Sequence, residues 1–492
     1  MRLEHGRRLG ISAGLCLAVS TSHAHSFGQV YTLPVPFWLY AWGAIAALVA
    51  SFVVAGVFAQ RAPRLDPAPT PYSLNTSPVW RAVRTPLKRL LQLLSVLSLL
   101  LCVATGLYGT VNPYANFNMT FFWIVFVLGF AYATALVGNV YAVINPWRVL
   151  AAVPARFFKR YCNGLAAYPH ALGYWPAVLI YLGFIWLELF GETEPYRLSL
   201  WLLGYTVFNL LGAGFVGMRA WFKYCEFFSV FLALTARMAP VQYVRSAETG
   251  QRGTLRLRYP FAGLLEGEAE RLSLVVFILA MLATTAYDGL HEAQSWVQLY
   301  WLNLYPNILT QYVGDNPFAV FPQLRQWYVW YQWAGLLLAP VLYLLVYLLF
   351  IRLTGWAGRS SLSTLALAKR FAFSLLPIAL VYHITHYYTL IETQGVKILQ
   401  LASDPFGRGW DLFGTADWYQ RTIIPDTGTV WHVQVGLIVL GHVVSVIVAH
   451  FEALRTFENH RRAVVSQLPM LLLMVLFTTA GLWILSQPMQ AG

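Results

Sequence analysis

Charge is what this chain has least of. Only 11% of its 492 residues are Asp, Glu, Lys or Arg, against 58% hydrophobic and 16% aromatic, and the mean hydropathy is +0.57. A water-soluble domain carries roughly a quarter charged residues, so a soluble class is excluded. Cysteine is scarce too. Of the four, Cys16 sits in the N-terminal apolar run, Cys102 within an apolar stretch, and Cys162 and Cys225 in segments that face the reducing side, so no structural disulfide is expected. The chain has no Gly-rich phosphate loop with a following lysine, no Gly-x-Ser-x-Gly elbow, no His-Glu-x-x-His helix and no detectable internal repeat. A nucleophilic serine triad is therefore unsupported. Cys-x-x-Cys-His is missing as well, which leaves only b-type haem among haem-binding readings.

What the chain does have is long apolar runs. The first reads as a processing signal: Arg2, Arg7 and Arg8 precede the run 9–20, and Ser22-His23-Ala24 puts small residues where a signal peptidase reads. Residues 1–24 are expected to be a cleavable signal peptide, and 25–492 a single helical membrane domain. Cleavage would leave His25 at the new terminus, where an amine beside an imidazole can chelate a metal. Further runs at about 38–59, 91–110, 119–143, 174–191, 198–218, 272–288, 328–351, 371–392, 429–451 and 467–486 are each long enough to cross a bilayer. The expected class is all-α, a polytopic helical membrane protein of about ten transmembrane helices.

Cleavage places the mature N-terminus outside, and the crossings return the C-terminus outside. In that orientation only Arg197, Arg325, Lys397, Arg408 and Arg421 fall in outer loops, and most of the 33 Lys and Arg fall inside, as the positive-inside rule requires. The net charge of +13 is thus a topology signal spread over short loops, and no nucleic-acid partner is expected. The longest inner segment, 219–271, reads as a solvated, partly helical loop. Within it the apolar stretch 224–236 is too short to span, and is expected to lie in the interface or re-enter. Outer segments 289–327 and 393–428, rich in Trp, Tyr, Pro and Gly, are expected to form ordered caps.

Ionisable side chains within the apolar runs mark where chemistry belongs. The eighth run contains His383-Ile-Thr-His386-Tyr387, and residues three apart share a helix face, which suits two imidazoles on one metal. The sixth ends in Tyr287-Asp288-Gly289-Leu290-His291, and the ninth holds His432, Gly441-His442 and His450. At about 1.5 Å per residue, His383, His386 and Asp288 lie roughly 18, 22 and 24 Å above the inner face, and His442 roughly 10–14 Å. His450, roughly 27 Å from His432, is assigned to the inner surface near Glu452 and Arg455. The functional reading is a divalent-metal centre drawn from Asp288, His383, His386 and His442, with His291 and His432 near its mouth. The alternative is that these groups hydrogen-bond between helices and fix the bundle. The outer loop holding Asp404, Asp411 and Asp417 either supplies oxygen ligands or is a turn-rich cap whose aspartates bond their own backbone.

Several segments together resemble the bacterial integral-membrane family named after fenitrothion hydrolase. They are Leu33-Pro34-Val35-Pro36-Phe37-Trp38-Leu39-Tyr40, Asn145-Pro146-Trp147-Arg148, Tyr287-Asp288-Gly289-Leu290, the 404–416 loop, and Gly441-His442 through Ala449-His450. The similarity runs from about His25 to the C-terminus. It implies hydrolysis of an apolar organophosphorus triester at its P–O(aryl) bond, in the inner membrane of a bacterium with both termini periplasmic, together with a second membrane subunit. The resemblance carries over no catalytic residues. His383 and His432 are not part of the pattern, which leaves Asp288, His386 and His442 as the catalytic candidates. A metal-bound hydroxide would suit an ester with so good a leaving group. A transporter or metal-handling protein, and a b-haem redox protein, are the competing readings.

Overall fold

The computed structural model describes residues 35–59, 78–191, 194–244, 254–418 and 426–487. The expected signal segment 1–24 and His25 lie outside the described residues. The main helices are α1 (Phe37–Phe58), α2 (Pro78–Tyr108), α3 (Phe117–Val137), α4 (Pro146–Phe157), α5 (Trp175–Phe190) and α6 (Pro195–Val216). They continue as α7 (Phe227–Thr235), α8 (Leu272–His291), α9 (Phe321–Ala357), α10 (Thr364–Thr393), α11 (Thr427–Thr456) and α12 (His460–Ser486). Part of α3, Thr120–Phe130, winds as a π-helix, and α10 contains a 3-10 turn at Ala372–Leu375.

Among the described residues, nine of these helices are long and apolar enough to cross a membrane. The chain is an all-α, multi-pass membrane protein. The remaining expected crossing is α5, which has 16 residues and covers only about 24 Å of a core roughly 30 Å thick. Helix α9 errs the other way. Its 37 residues extend about 55 Å, so one end stands clear of the hydrocarbon. That end carries a small second core, in which Val297, Tyr300, Trp301 and Tyr305 pack on Leu324.

Burial decides which helix organises the bundle. The apolar window of α8 is 94% buried, whereas those of α1, α2 and α9 are 28% buried. A helix apolar on all sides belongs in the middle, and the lightly buried helices turn their leucines and valines outward. Leu337, Leu338, Leu342 and Leu345 of α9 are exposed, a surface suited to lipid and not to water. Small residues set the closest crossings. A Cβ on Gly289 would lie 2.7 Å from Ile484 Cγ2, and one on Gly441 would collide with Val381, so α8–α12 and α10–α11 approach only because these positions are glycine.

The inner segment 219–271 departs from expectation. It contains an antiparallel pair, Val241–Val244 with Thr254–Leu257, where a solvated, partly helical loop was expected. The pair is anchored by Arg258, whose side chain is only 7% exposed, pairs with Glu266 at 3.1 Å and donates to the carbonyls of Ala236, Arg237 and Ala239. The apolar stretch before it folds into the bundle as α7. Most of its side chains are buried, and Glu226 accepts from the Phe228 and Ser229 amides at its start. The carboxylate of Glu226 also accepts from Asn145, Tyr205 and the Ser229 hydroxyl, so it is a satisfied helix cap.

Candidate functional site

Three helices meet at the C-terminal end of α8. Asp288, in its last turn, is 3% exposed. Its Oδ2 accepts the hydroxyl of Tyr387 and lies 2.8 Å from Nε2 of His386. The two donors are consecutive on α10, where neighbouring side chains diverge by about 100°, so the carboxylate sits in the notch between them. A carboxylate away from water is tolerated only when its lone pairs are met in this way. His291, one turn further along α8, donates Nδ1–H to the Asp288 carbonyl at 2.6 Å and stands 3.9 Å from Oδ1. The rings of Phe190 and Tyr287 flank it.

Glu188 comes from α5, is also buried, and lies beside Tyr387. Glu188, Asp288, Tyr387, His383, Thr284 and Thr285 line a cavity of about 20 Å³. That volume accommodates one water, with polar partners on several sides. His383 reaches the cavity while its Nδ1 stands 3.1 Å from the Tyr132 hydroxyl. The arrangement is suited to taking, holding and passing the proton of a single water: two carboxyl groups and an imidazole on its wall, with a second imidazole fixing one carboxyl from behind.

The expected residues are thus only partly assembled. Asp288 and His386 are in contact, His383 shares their cavity, and His291 touches Asp288 directly where a place at the mouth was expected. Among the described residues His442 makes one hydrogen bond, from Nδ1 to the Ile438 carbonyl on its own helix, and its buried Nε2 has no partner there. It has no hydrogen bond or ring contact with Asp288, His383 or His386. His432 bonds to the Gly428 carbonyl and to Tyr40, near the start of α11. His450 is fully buried, where an inner-surface position was expected. Its two ring nitrogens lie 3.1 Å from Gln467 Oε1 and 2.9 Å from the Ala59 carbonyl, so it ties α11 to its neighbours.

The expected metal centre required Asp288, His383, His386 and His442 to converge. Among the described residues, no three His, Cys, Asp or Glu side chains are grouped to hold a metal ion. Asp288 Oδ2 is already occupied by Tyr387 and His386, and His442 stands apart.

In the outer loop, Asp404 accepts from the amides of Arg408 and Gly409, and Asp411 from Ser403 and the amide of Ala416. These are backbone-bonded turns, as the cap reading expects. The Ala416 amide and the Ser403 hydroxyl hold the Asp411 carboxyl below the usual range.

Glu188 is the cavity residue that sequence reasoning passed over. The signal was present: a lone carboxylate inside the apolar run 174–191, which by its cost in lipid marks a site. Tyr387 carried no such signal, because tyrosine is common in these helices. Against known proteins, no family model, no curated protein and no solved structure matches this chain.

Proposed function

We propose that the chain is a membrane-embedded hydrolase of apolar organophosphorus triesters, in which Asp288 and Glu188 take the proton of one water and direct its oxygen at phosphorus. The observation that carries this reading is the water-sized cavity with Glu188 on one side and, on another, Asp288 held by His386 and Tyr387. Water oxygen bonds to phosphorus, the P–O(aryl) bond breaks, and its electron pair leaves with the phenolate. The water proton passes to a carboxylate and then to solvent. A nitrophenolate is stable at neutral pH, so no general acid is required at the leaving oxygen. His386 and Tyr387 are positioning residues for Asp288. The resemblance to the fenitrothion hydrolase family supports the same substrate class, the bacterial inner membrane with periplasmic termini, and a second membrane subunit. Triesters of this kind partition into lipid, which gives a physical reason for a site inside a bundle.

A second reading, a proton-coupled transporter, is favoured by one observation. Glu188, Asp288 and His383 come from three different helices around one cavity, as a proton path through a bundle requires. The two readings separate in one experiment: release of 4-nitrophenol from diethyl 4-nitrophenyl phosphate, in native membranes and after purification. The hydrolase releases phenol in membranes, and Glu188→Gln and Asp288→Asn lower the rate by about 10²–10⁴-fold. Loss on purification that is restored by adding membranes fits a second subunit. No release in either preparation removes the hydrolase and leaves proton uptake into liposomes as the assay to pursue.

A further inference from the structure

A second cavity, of about 240 Å³, lies between α2, α3 and the start of α4. Its walls are largely apolar, with an aromatic side formed by Phe121, Phe122, Phe126, Phe130 and Trp147. On α2 it is bordered by Leu91 and Leu94, which are exposed on the outer surface of an apolar helix, so the cavity opens toward lipid. Polar groups in the lining are the hydroxyls of Ser95, Ser98 and Tyr141, and Tyr141 is the most telling. It is 1% exposed, and its buried hydroxyl has no hydrogen-bond partner among the described residues. A buried hydroxyl left unpaired is destabilising, a cost that a guest with an acceptor oxygen would recover.

Packed aromatic side chains separate this cavity from the water-sized one. Phe228 lines the small cavity, and its ring lies 4.9 Å from that of Phe126 and stacks at 3° and 5.9 Å on Trp147, both of which line the large one. The Glu226 cap fixes the backbone on which Phe228 is carried, at 3.2 Å from its amide. The wall is therefore a set of packed aromatic rings, with Phe228 and Phe184 on the small-cavity side and Phe126, Phe122 and Trp147 on the other.

The geometry points to a binding subsite, reached from the bilayer, for the neutral aromatic portion of a small apolar molecule, with Tyr141 as hydrogen-bond donor and Phe228 in the partition from the carboxylate cavity. Calling that molecule the substrate rests on the hydrolase reading; the binding itself does not. The volume suits a single substituted ring, and the aromatic side favours a flat guest over an acyl chain. Entry from lipid needs no aqueous channel.

The probe is 4-nitrophenyl ethyl ether, a neutral nitroaromatic without a hydrolysable ester, measured by equilibrium binding to the full-length protein in lipid nanodiscs. Wild type should bind it saturably. Ser98→Phe, which fills the cavity from α2, should weaken binding by at least about tenfold, and Tyr141→Phe by about three- to tenfold. Phe228→Ala should admit the longer 4-nitrophenyl phenyl ether, which wild type excludes. Asp288→Asn should bind the probe as wild type does, so failure of hydrolysis and failure of the subsite are distinguishable. Wild-type uptake equal to that of both Ser98→Phe and Tyr141→Phe, meaning mere partition into lipid, would overturn the proposal.

Discussion

Nε2 of His386 lies 2.8 Å from Oδ2 of Asp288, across the contact between α10 and α8, with both side chains at most 8% exposed. Neither group would be stable at that depth alone. The pairing joins α8 to α10 beside Gly289, where a Cβ would make only an ordinary contact, 3.6 Å, with His386 Cε1. It also makes a thermodynamic statement. Breaking one partner of a buried pair costs about 3–5 kcal/mol, whereas replacing both by apolar groups of similar volume is often neutral. His386→Leu should therefore be strongly destabilised, and Asp288→Leu/His386→Leu should regain most of the loss. Unfolding of purified variants in mixed micelles measures this. A double variant as unstable as the sum of its singles contradicts the pairing.

His450 illustrates the opposite kind of histidine. It joins α11 to Gln467 of α12 and to the carbonyl of Ala59, and it is remote from the carboxylate cavity. His450→Ala should lower stability by about 1–3 kcal/mol and leave turnover per folded molecule unchanged. Thermal unfolding alongside an assay corrected for folded protein checks it; full stability with lost turnover goes against the assignment.

The outer cap should respond to acid through Asp411. Its folded-state carboxyl is held below the ordinary value by the Ala416 amide and the Ser403 hydroxyl, so its contribution is complete above the unfolded value of about 3.9 and is lost as pH falls through the lower folded value. The protection factor of the Ala416 amide, its exchange rate relative to the intrinsic rate at the same pH, should be unchanged from pH 7 to about 5 and fall only in more acidic solution. Asp411→Ala should show the lower protection already at pH 7. Loss of protection in wild type near neutrality would rule this group out as the cause.

Orientation follows from the basic loops. A phosphatase reporter fused after Gly409 should be active outside the cytoplasm, and one fused after Gly263 inactive. Activity at both, or at neither, breaks the topology.

The apolar runs made the helices legible because length and hydropathy alone decide whether a segment can span a bilayer. They did not reveal α7, since a buried helix of 9 residues and an interfacial one have the same composition, and only the Glu226 cap tells them apart. Periodicity placed His383 and His386 on neighbouring positions of one helix, and depth arithmetic brought Asp288 to their level. Rotation about the helix axis is what arithmetic along it does not contain. His442 has a compatible height yet bonds to its own helix at Ile438, and the carboxyl that shares the cavity of Asp288 was Glu188, at a position that no histidine-centred search would visit.

The most direct measurement is hydrolysis of diethyl 4-nitrophenyl phosphate in ¹⁸O-labelled water, with mass analysis of both products from wild-type, Asp288→Asn and Glu188→Gln protein in membranes. Proton removal by the carboxylates followed by attack at phosphorus puts the label in diethyl phosphate and leaves 4-nitrophenol unlabelled, with turnover down by about 10²–10⁴-fold in both variants. Label in the nitrophenol, or wild-type turnover in either variant, would contradict a water activated at the Asp288–Glu188 cavity.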